Sequence, residues 1–213
     1  MRLLSRVASL LLDALAPPCC AACDEPSASA FCATCGPLSA APEPRLLDGA
    51  PLIVLGRYEP PLSDAIVRFK YGGHPELARG LGQLLARALE LLDAPAGTTL
   101  VPVPLHPRRL ATRGYNQAAL LAQELGHSRG LPCEPRLLLR TRDTEHQVGK
   151  ARAARLGNAT DAFALRKAGP RRVVLVDDVV TTGSTIRACA QTLALGGIEV
   201  VAIAALAEAS APR

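Results

Sequence analysis

The run RVVLVDDVVTTGST, residues 172–185, limits what this chain can fold into more than any other stretch. Residues 172–176 are a β-branched apolar run without alternation, which reads as a strand buried on both faces. A helix follows from about Thr185 to 195, then Gly196 and Gly197, then a second buried strand over 198–204. Strand, turn, helix and strand in that order make a parallel pair joined by a crossover. The expected fold class is therefore α/β. In such sheets ligands sit beyond the carboxyl ends of the strands, where the turn meets the helix N-terminus.

The turn itself suits a phosphomonoester. Gly183 permits close backbone approach, the hydroxyls of Thr181, Thr182, Ser184 and Thr185 donate hydrogen bonds, and the helix end adds its dipole. A simple N-cap turn would account for T-G-S-T on its own. It does not account for Asp177 and Asp178, because two carboxylates at the end of a buried strand are costly without a ligand, a cation or solvent. The apolar pair Val179 and Val180 carries the chain from those acids to the turn.

Upstream, a strand is expected over 52–58, helices over 61–70 and 75–92, a short buried strand over 99–103, and a helix over 116–125 with Gly126 as its stop. The stretch 37–51 carries four Pro and no periodic pattern, so it reads as a linker with a domain boundary near residue 48.

Five of the seven cysteines fall within residues 19–35. Cys20-x2-Cys23, eight intervening residues and Cys32-x2-Cys35 supply four thiolates on two knuckles, the donor set of a closed structural Zn²⁺ site. A disulfide framework would call for an export signal, and a thioredoxin-type site needs one such pair. Cys19, beside Cys20, competes with it as ligand, and the x2 spacing favours Cys20. Cys133 and Cys189 read as small buried residues. Residues 1–16 carry apolar positions at 3–4 spacing, interrupted by Asp13, and read as an amphipathic helix rather than a signal peptide. No run of 18 apolar residues spans a membrane, and a cytoplasmic location is expected.

Composition excludes other classes. At 213 residues, 49% apolar and 20% charged, the chain can bury a core and is not disordered. Aromatics make up 3% with no Trp, too few for an extended surface of stacked rings. The net charge is +5, but residues 101–172 hold fourteen Lys and Arg against five Asp and Glu, so this middle region faces something anionic or is a solvated arginine surface. Arg108, Arg109 and Arg113 follow a strand end, as recognition of a diphosphate or nucleic-acid backbone requires, with Tyr115, Asn116 and Gln117 beside them. Helix capping by Asn116 and a solvated arginine face is the plainer alternative. Arg68 and Lys70, at a helix end, are further diphosphate candidates, and His106 is either a proton shuttle or a turn histidine.

VVLVDDVVTTGST resembles the phosphoribosyl pyrophosphate (PRPP) binding motif of type I phosphoribosyltransferases. Tyr58 with IVRFKYGG (66–73), VPVPLHPRRLATRGYNQA (101–118), and the spaced set Thr144, Gln147, Arg152 or Arg155, Asn158 and Phe163 are similar to the ComF family. These are zinc-ribbon-bearing phosphoribosyltransferase-like proteins linked to DNA uptake, and the similarity runs from about residue 10 to 207. The resemblance implies a type I phosphoribosyltransferase fold, a mainly parallel sheet flanked by helices, over residues 49–210, with a zinc ribbon at 17–40. It implies PRPP or ribose-5-phosphate as ligand, bound with Mg²⁺. Asp177, Asp178 and Arg113 would be the catalytic residues, and Asp177 to Thr185 would hold ribose and 5′-phosphate. Lys70, Arg108, Arg109, Arg113, Thr144, Gln147 and Arg152 would reach the diphosphate or close a flap over it, with His146 a candidate base. The activity implied is pentosyl transfer from PRPP or a PRPP-dependent role in competence. A non-catalytic accessory that binds single-stranded DNA, working with the competence helicase and uptake machinery, is the rival.

Overall fold

The computed structural model describes residues 18–36, 45–90, 95–142 and 162–209. The expected helix at 1–16 lies outside them, as do Thr144, His146, Gln147, Arg152, Arg155 and Asn158.

A five-stranded sheet forms the centre, in the order β1 (Arg45–Leu47), β2 (Ala50–Arg57), β7 (Glu199–Glu208), β6 (Arg172–Val180), β3 (Thr98–Pro102). All pairs are parallel except the β1–β2 hairpin. That hairpin turns on Asp48 and Gly49, both at positive φ (52° and 83°), the Asp-Gly chemistry that matches the twist of paired strands. β1 was not expected: it lies in the stretch read as linker, three residues long, and only its pairing makes it a strand.

Helix α1 (Leu62–Tyr71) buries Leu62, Ala65, Ile66 and Phe69, spaced to share one face. With α2 (Leu77–Leu89) and α4 (Gln117–Arg129) it covers one side of the sheet. On the other side α5 (Ser184–Leu195) packs with a separate antiparallel pair, β4 (Leu138–Arg140) and β5 (Phe163–Leu165). A short helix, α3 (Pro107–Arg113), interrupts the basic segment after β3. The outer edge of β3 is covered by the chain at 132–134, where the Leu100 amide donates to the Pro132 carbonyl (2.8 Å) and the Glu134 amide to the Leu100 carbonyl (2.9 Å).

Two boundaries differ from expectation for physical reasons. Gly126 does not stop α4. It is buried within it, where a Cβ would come 2.8 Å from the Leu131 carbonyl, and Gly130 at φ 66° ends the helix instead. Strand β6 does not end at Val176 either: it continues through Asp177 and Asp178 to Val180, because β7 pairs with it along that whole length. The acids therefore belong to the sheet rather than to the turn.

The cysteine segment packs on this framework rather than hanging from it. Cys20, Ala21 and Phe31 join the core formed by Phe69, Leu77 and Ala78. Gly80 on α2 allows the approach, since a Cβ there would lie 2.9 Å from that of Ala30.

Candidate functional site

At the carboxyl ends of β3 and β6 a cavity of about 330 Å³ opens. Its floor holds Asp177, Asp178, Val179, Thr181 and Thr185. One wall is Tyr58, Lys70 and Tyr71, and the other is Arg109, Arg113, Asn116 and Gln117 after β3, with Arg140 at the back.

The turn over 181–183 leads into α5 through Gly183, at φ 75°, where an L side chain would be strained and would press on Leu47 at 2.9 Å. Gly183, the N-cap of α5, has no side chain to cap the helix, and the Ser184 amide donates to the Thr182 hydroxyl at 3.4 Å. Thr181 and Thr185 face the cavity, whereas the Thr182 hydroxyl donates to Ser184 Oγ (3.1 Å) on the outside of the turn. Arg187 braces the turn: its Nη1 donates to the Thr182 carbonyl (2.9 Å) and its Nε to Asp48 (3.0 Å). Val180 is buried in the core and offers no side chain to a ligand.

The two acids have different surroundings. Asp178 is 8% exposed and ion-paired with Lys70 at 3.0 Å. Burial opposes the Lys70 charge, but Asp178 and then Asp177 outweigh it and raise the ammonium pKa. Asp177 keeps some exposed surface yet is ringed by protein. Burial, with Asp178 adding to it, pushes its carboxyl up to about 8, even though the Asp178 amide donates to it at 2.8 Å.

The cationic wall is held in place by Gln117, 1% exposed. Its Oε1 accepts from Arg113 Nη1 (2.9 Å) and its Nε2 donates to the Lys70 carbonyl (3.5 Å), linking α3 to the end of α1. Asn116 caps α4, accepting from the Ala118 amide (3.1 Å) while its Nδ2 donates to the Val103 carbonyl (3.0 Å), so the capping half of the plainer alternative is present, while Arg109 and Arg113 line the cavity instead of forming a solvated face. His106 likewise caps α3, accepting from the Arg108 amide at 3.4 Å, and does not line the cavity.

Of the expected cations, Lys70, Arg109 and Arg113 meet at the cavity. Arg108 is exposed and outside its lining. Arg68 turns the other way, donating to the Cys20 (2.9 Å) and Ala21 (3.1 Å) carbonyls and pairing with Asp24. Arg140, 7% exposed with its guanidinium 5.6 Å from the Phe163 ring centre, was not anticipated. It ends a strand too short to register as a pattern.

The sulfur atoms of Cys20, Cys23, Cys32 and Cys35 lie within 4.8 Å of one another, with Cys23 and Cys32 3.7 Å apart. A tetrahedral Zn²⁺ with bonds of about 2.3 Å needs sulfurs about 3.8 Å apart, so the cluster can hold one. Burial opposes the charge on Cys20, but backbone amides of Cys23, Cys32 and Ala22 donate to its sulfur and bring its pKa down to about 6. Amides of Cys35 and Thr34 favour the Cys32 thiolate in the same way. Cys23 and Cys35 shift upward instead, Cys35 to about 12 through burial and its neighbouring sulfurs, so without a cation the four thiolates do not form together; Cys20 rather than Cys19 is the one in the cluster.

A parallel sheet ending in paired acids and a glycine turn at a helix N-terminus defines the type I phosphoribosyltransferase fold. The phosphoribosyl transferase domain family matches residues 110–213. Competence protein F of Haemophilus influenzae is 36% identical over 168 residues, 74% of this chain and 72% of that protein. The DNA utilization protein YhgH of Escherichia coli K12 is 40% identical over 161 residues, 71% and 69% of the two chains. The adenine phosphoribosyltransferase structure from Leishmania tarentolae aligns at 21% identity and a TM-score of 0.36, covering 61% of this chain and 56% of that one. The chain belongs to the ComF family. Among the described residues no helix is long and apolar enough to cross a membrane.

Proposed function

We propose that the cavity binds PRPP, or ribose-5-phosphate, and that the protein transfers the pentosyl group in a process tied to DNA uptake. The observation that carries this reading is the meeting of three chemistries in one cavity: Thr181 and Thr185 at the two ends of the turn, the acids Asp177 and Asp178, and the cations Lys70, Arg109 and Arg113. The turn would take the 5′-phosphate through backbone amides, hydroxyls and the helix dipole. The acids would accept from the ribose 2′ and 3′ hydroxyls, Asp178 exchanging part of its bond to Lys70. The arginines would stabilise pyrophosphate as its bond to C1′ breaks and a nucleophilic nitrogen forms the new bond there. Asp177 and Asp178 are the carboxylates that would lie beside a bound Mg²⁺, which would supply positive charge against the leaving group. The names of the two relatives support a role in competence or DNA use. Zn²⁺ in the four-cysteine cluster would be structural.

Calorimetric titration with PRPP and Mg²⁺ tests the binding, and pyrophosphate release with a panel of nucleobases and amines tests turnover. Binding is expected to disappear in Asp177→Ala. Wild-type affinity weaker than millimolar would reject the reading.

The second reading, a non-catalytic accessory that binds single-stranded DNA and acts with the competence helicase and uptake machinery, draws on the excess of fourteen Lys and Arg over five acids in residues 101–172. It requires DNA affinity that falls steeply with salt and is lost when Arg108, Arg109 and Arg113 are replaced together. No binding at low salt would dismiss it.

A further inference from the structure

We propose a second ligand site at the opposite end of β3 and β6, a small cavity that takes phosphate, free or as a monoester. It is separate from the sugar-phosphate cavity and does not depend on that reading.

The second cavity has a volume of about 170 Å³. Thr99 lies at its base, Pro132 and Glu134 form one wall, and the 167–170 turn between β5 and β6 forms the other. Thr99 stands opposite Val173, at the amino ends of both strands. Along β3 it is about 13 Å from Val103, which lines the first cavity. Both walls are fixed. The Leu100 bonds described above hold 132–134, and the Arg166 amide donates to the Leu137 carbonyl at 2.9 Å. Gly169 presses on the core, where a Cβ would come 2.6 Å from Ile198 Cδ1. Lys167 and Glu134 meet across the gap at 3.0 Å.

The feature that asks for a ligand is the Thr99 hydroxyl. Six polar or charged side chains are buried among the described residues. Thr98 donates to the Pro95 carbonyl (2.6 Å) and Thr192 to the Ala188 carbonyl (2.9 Å). Gln117, Arg140 and Asp178 are partnered as well. Thr99, 6% exposed, has no hydrogen-bond partner among the described residues. A hydroxyl taken out of water without a partner is uncommon and calls for an explanation.

The surrounding charge selects the partner. Five of the fourteen Lys and Arg in residues 101–172 belong to the segments that wall this cavity: Arg136, Arg166, Lys167, Arg171 and Arg172, all exposed. Lys167 pairs with Glu134 and Arg172 with Glu199. Arg136, Arg166 and Arg171 have no ion pair among the described residues. The Ala168 and Gly169 amides, on the cavity wall, donate to nothing among those residues. A water molecule would satisfy the hydroxyl alone, but guanidiniums, an ammonium, amides and a hydroxyl together are the donor set of an oxyanion. Glu134 holds Lys167 until that anion displaces it.

Methyl NMR during titration with inorganic phosphate, against a constant chloride background, tests the site. The Ala168 methyl reports on this cavity and the Thr181 methyl on the first, so the two readings fail separately. Ala168 is expected to shift to saturation with a Kd of about 5 mM or below. Thr99→Val and Lys167→Ala should each weaken this binding about five-fold or more, and Glu134→Gln should tighten it, with the Thr181 response as in wild type. Thr99→Val should also melt at or above the wild-type temperature, because it keeps the side chain's shape and removes a hydroxyl that makes no bond in the protein. A shift that does not saturate, that chloride reproduces, or that persists unchanged in Thr99→Val overturns the proposal. So does a lower Tm in Thr99→Val, which would mean that the hydroxyl is bonded within the fold. Ribose-5-phosphate, titrated in the same way, separates the two sources: tighter binding than inorganic phosphate at Ala168 identifies a monoester, and equal or weaker binding identifies the free ion.

Discussion

Arg68 and Lys70 stand two residues apart at the end of α1 and reach opposite structures: Arg68 holds the Cys20 and Ala21 carbonyls and Asp24, while Lys70 holds Asp178. One helix end therefore ties the cysteine cluster to the cavity floor. Replacing Arg68 with Ala removes two charge-assisted bonds to backbone and a partly exposed ion pair, and is expected to cost about 2 kcal/mol. For a chain of this size that is roughly 4–8 °C in Tm. Hydrogen exchange should rise in both 18–36 and 62–71. A rise confined to one of the two segments would contradict the link.

The Lys70–Asp178 pair is expected to show coupling in a double-mutant cycle. Asp178→Asn alone leaves a buried ammonium without its counter-charge and should cost about 2–3 kcal/mol, as should Lys70→Met. The double variant should cost less than the two added together by about 1 kcal/mol or more. Urea denaturation of the four proteins measures this. Simple additivity would mean that the pair contributes nothing as a pair.

Stability should depend on pH through Asp177. Its carboxyl is held up to about 8 in the folded chain, while an unfolded aspartate titrates near about 4. Between those values the native state keeps a proton that the unfolded chain has released. The contribution is fully present below about pH 4, falls as pH rises through the window, and is gone above about pH 8. Asp177→Asn should match wild type near pH 4 and exceed its Tm by a growing margin up to pH 8–9. Melts across that range, in metal-free buffer, give the answer. Parallel curves would show that Asp177 titrates normally.

The purified protein is expected to carry one Zn²⁺ per chain, and Cys23→Ser or Cys32→Ser should reduce that stoichiometry. Elemental analysis measures it. Chelation should free four thiols to an alkylating reagent and lower Tm, because metal binding at such clusters is part of folding. Full thiol reactivity before chelation would show that the cluster holds no metal.

The sequence revealed the elements whose signal is local. The run at 172–185, the two cysteine knuckles and the helix over 61–70 are each legible without any partner. Of the missed features, β4 and β5 depend on distant pairing, whereas β1 pairs with its neighbour through the Asp48-Gly49 turn, a local signal inside the stretch read as linker. β1, β4 and β5 are three residues each, and only their pairing makes them strands. The length of β6 was understated because the acids suggested a loop, whereas pairing with β7 continues to Val180. Among the cations, composition could not separate Lys70, which enters the cavity, from Arg68, which leaves it. That depends on the position of the cysteine knuckle beside α1. Arg140 had no neighbouring pattern to mark it, and its place follows from the Phe163 ring against which it packs.

Because Asp177 and Asp178 are rungs of the central ladder, opposite Ala205 and its neighbours, their spacing comes from the backbone repeat and not from the glycine turn. Mutational drift at 181–185 can therefore erode one half of the pocket without disturbing the other. The acidic floor stays rigid whatever becomes of the turn, so damage to the anion-facing half and damage to the carboxylate half are separable events in this architecture.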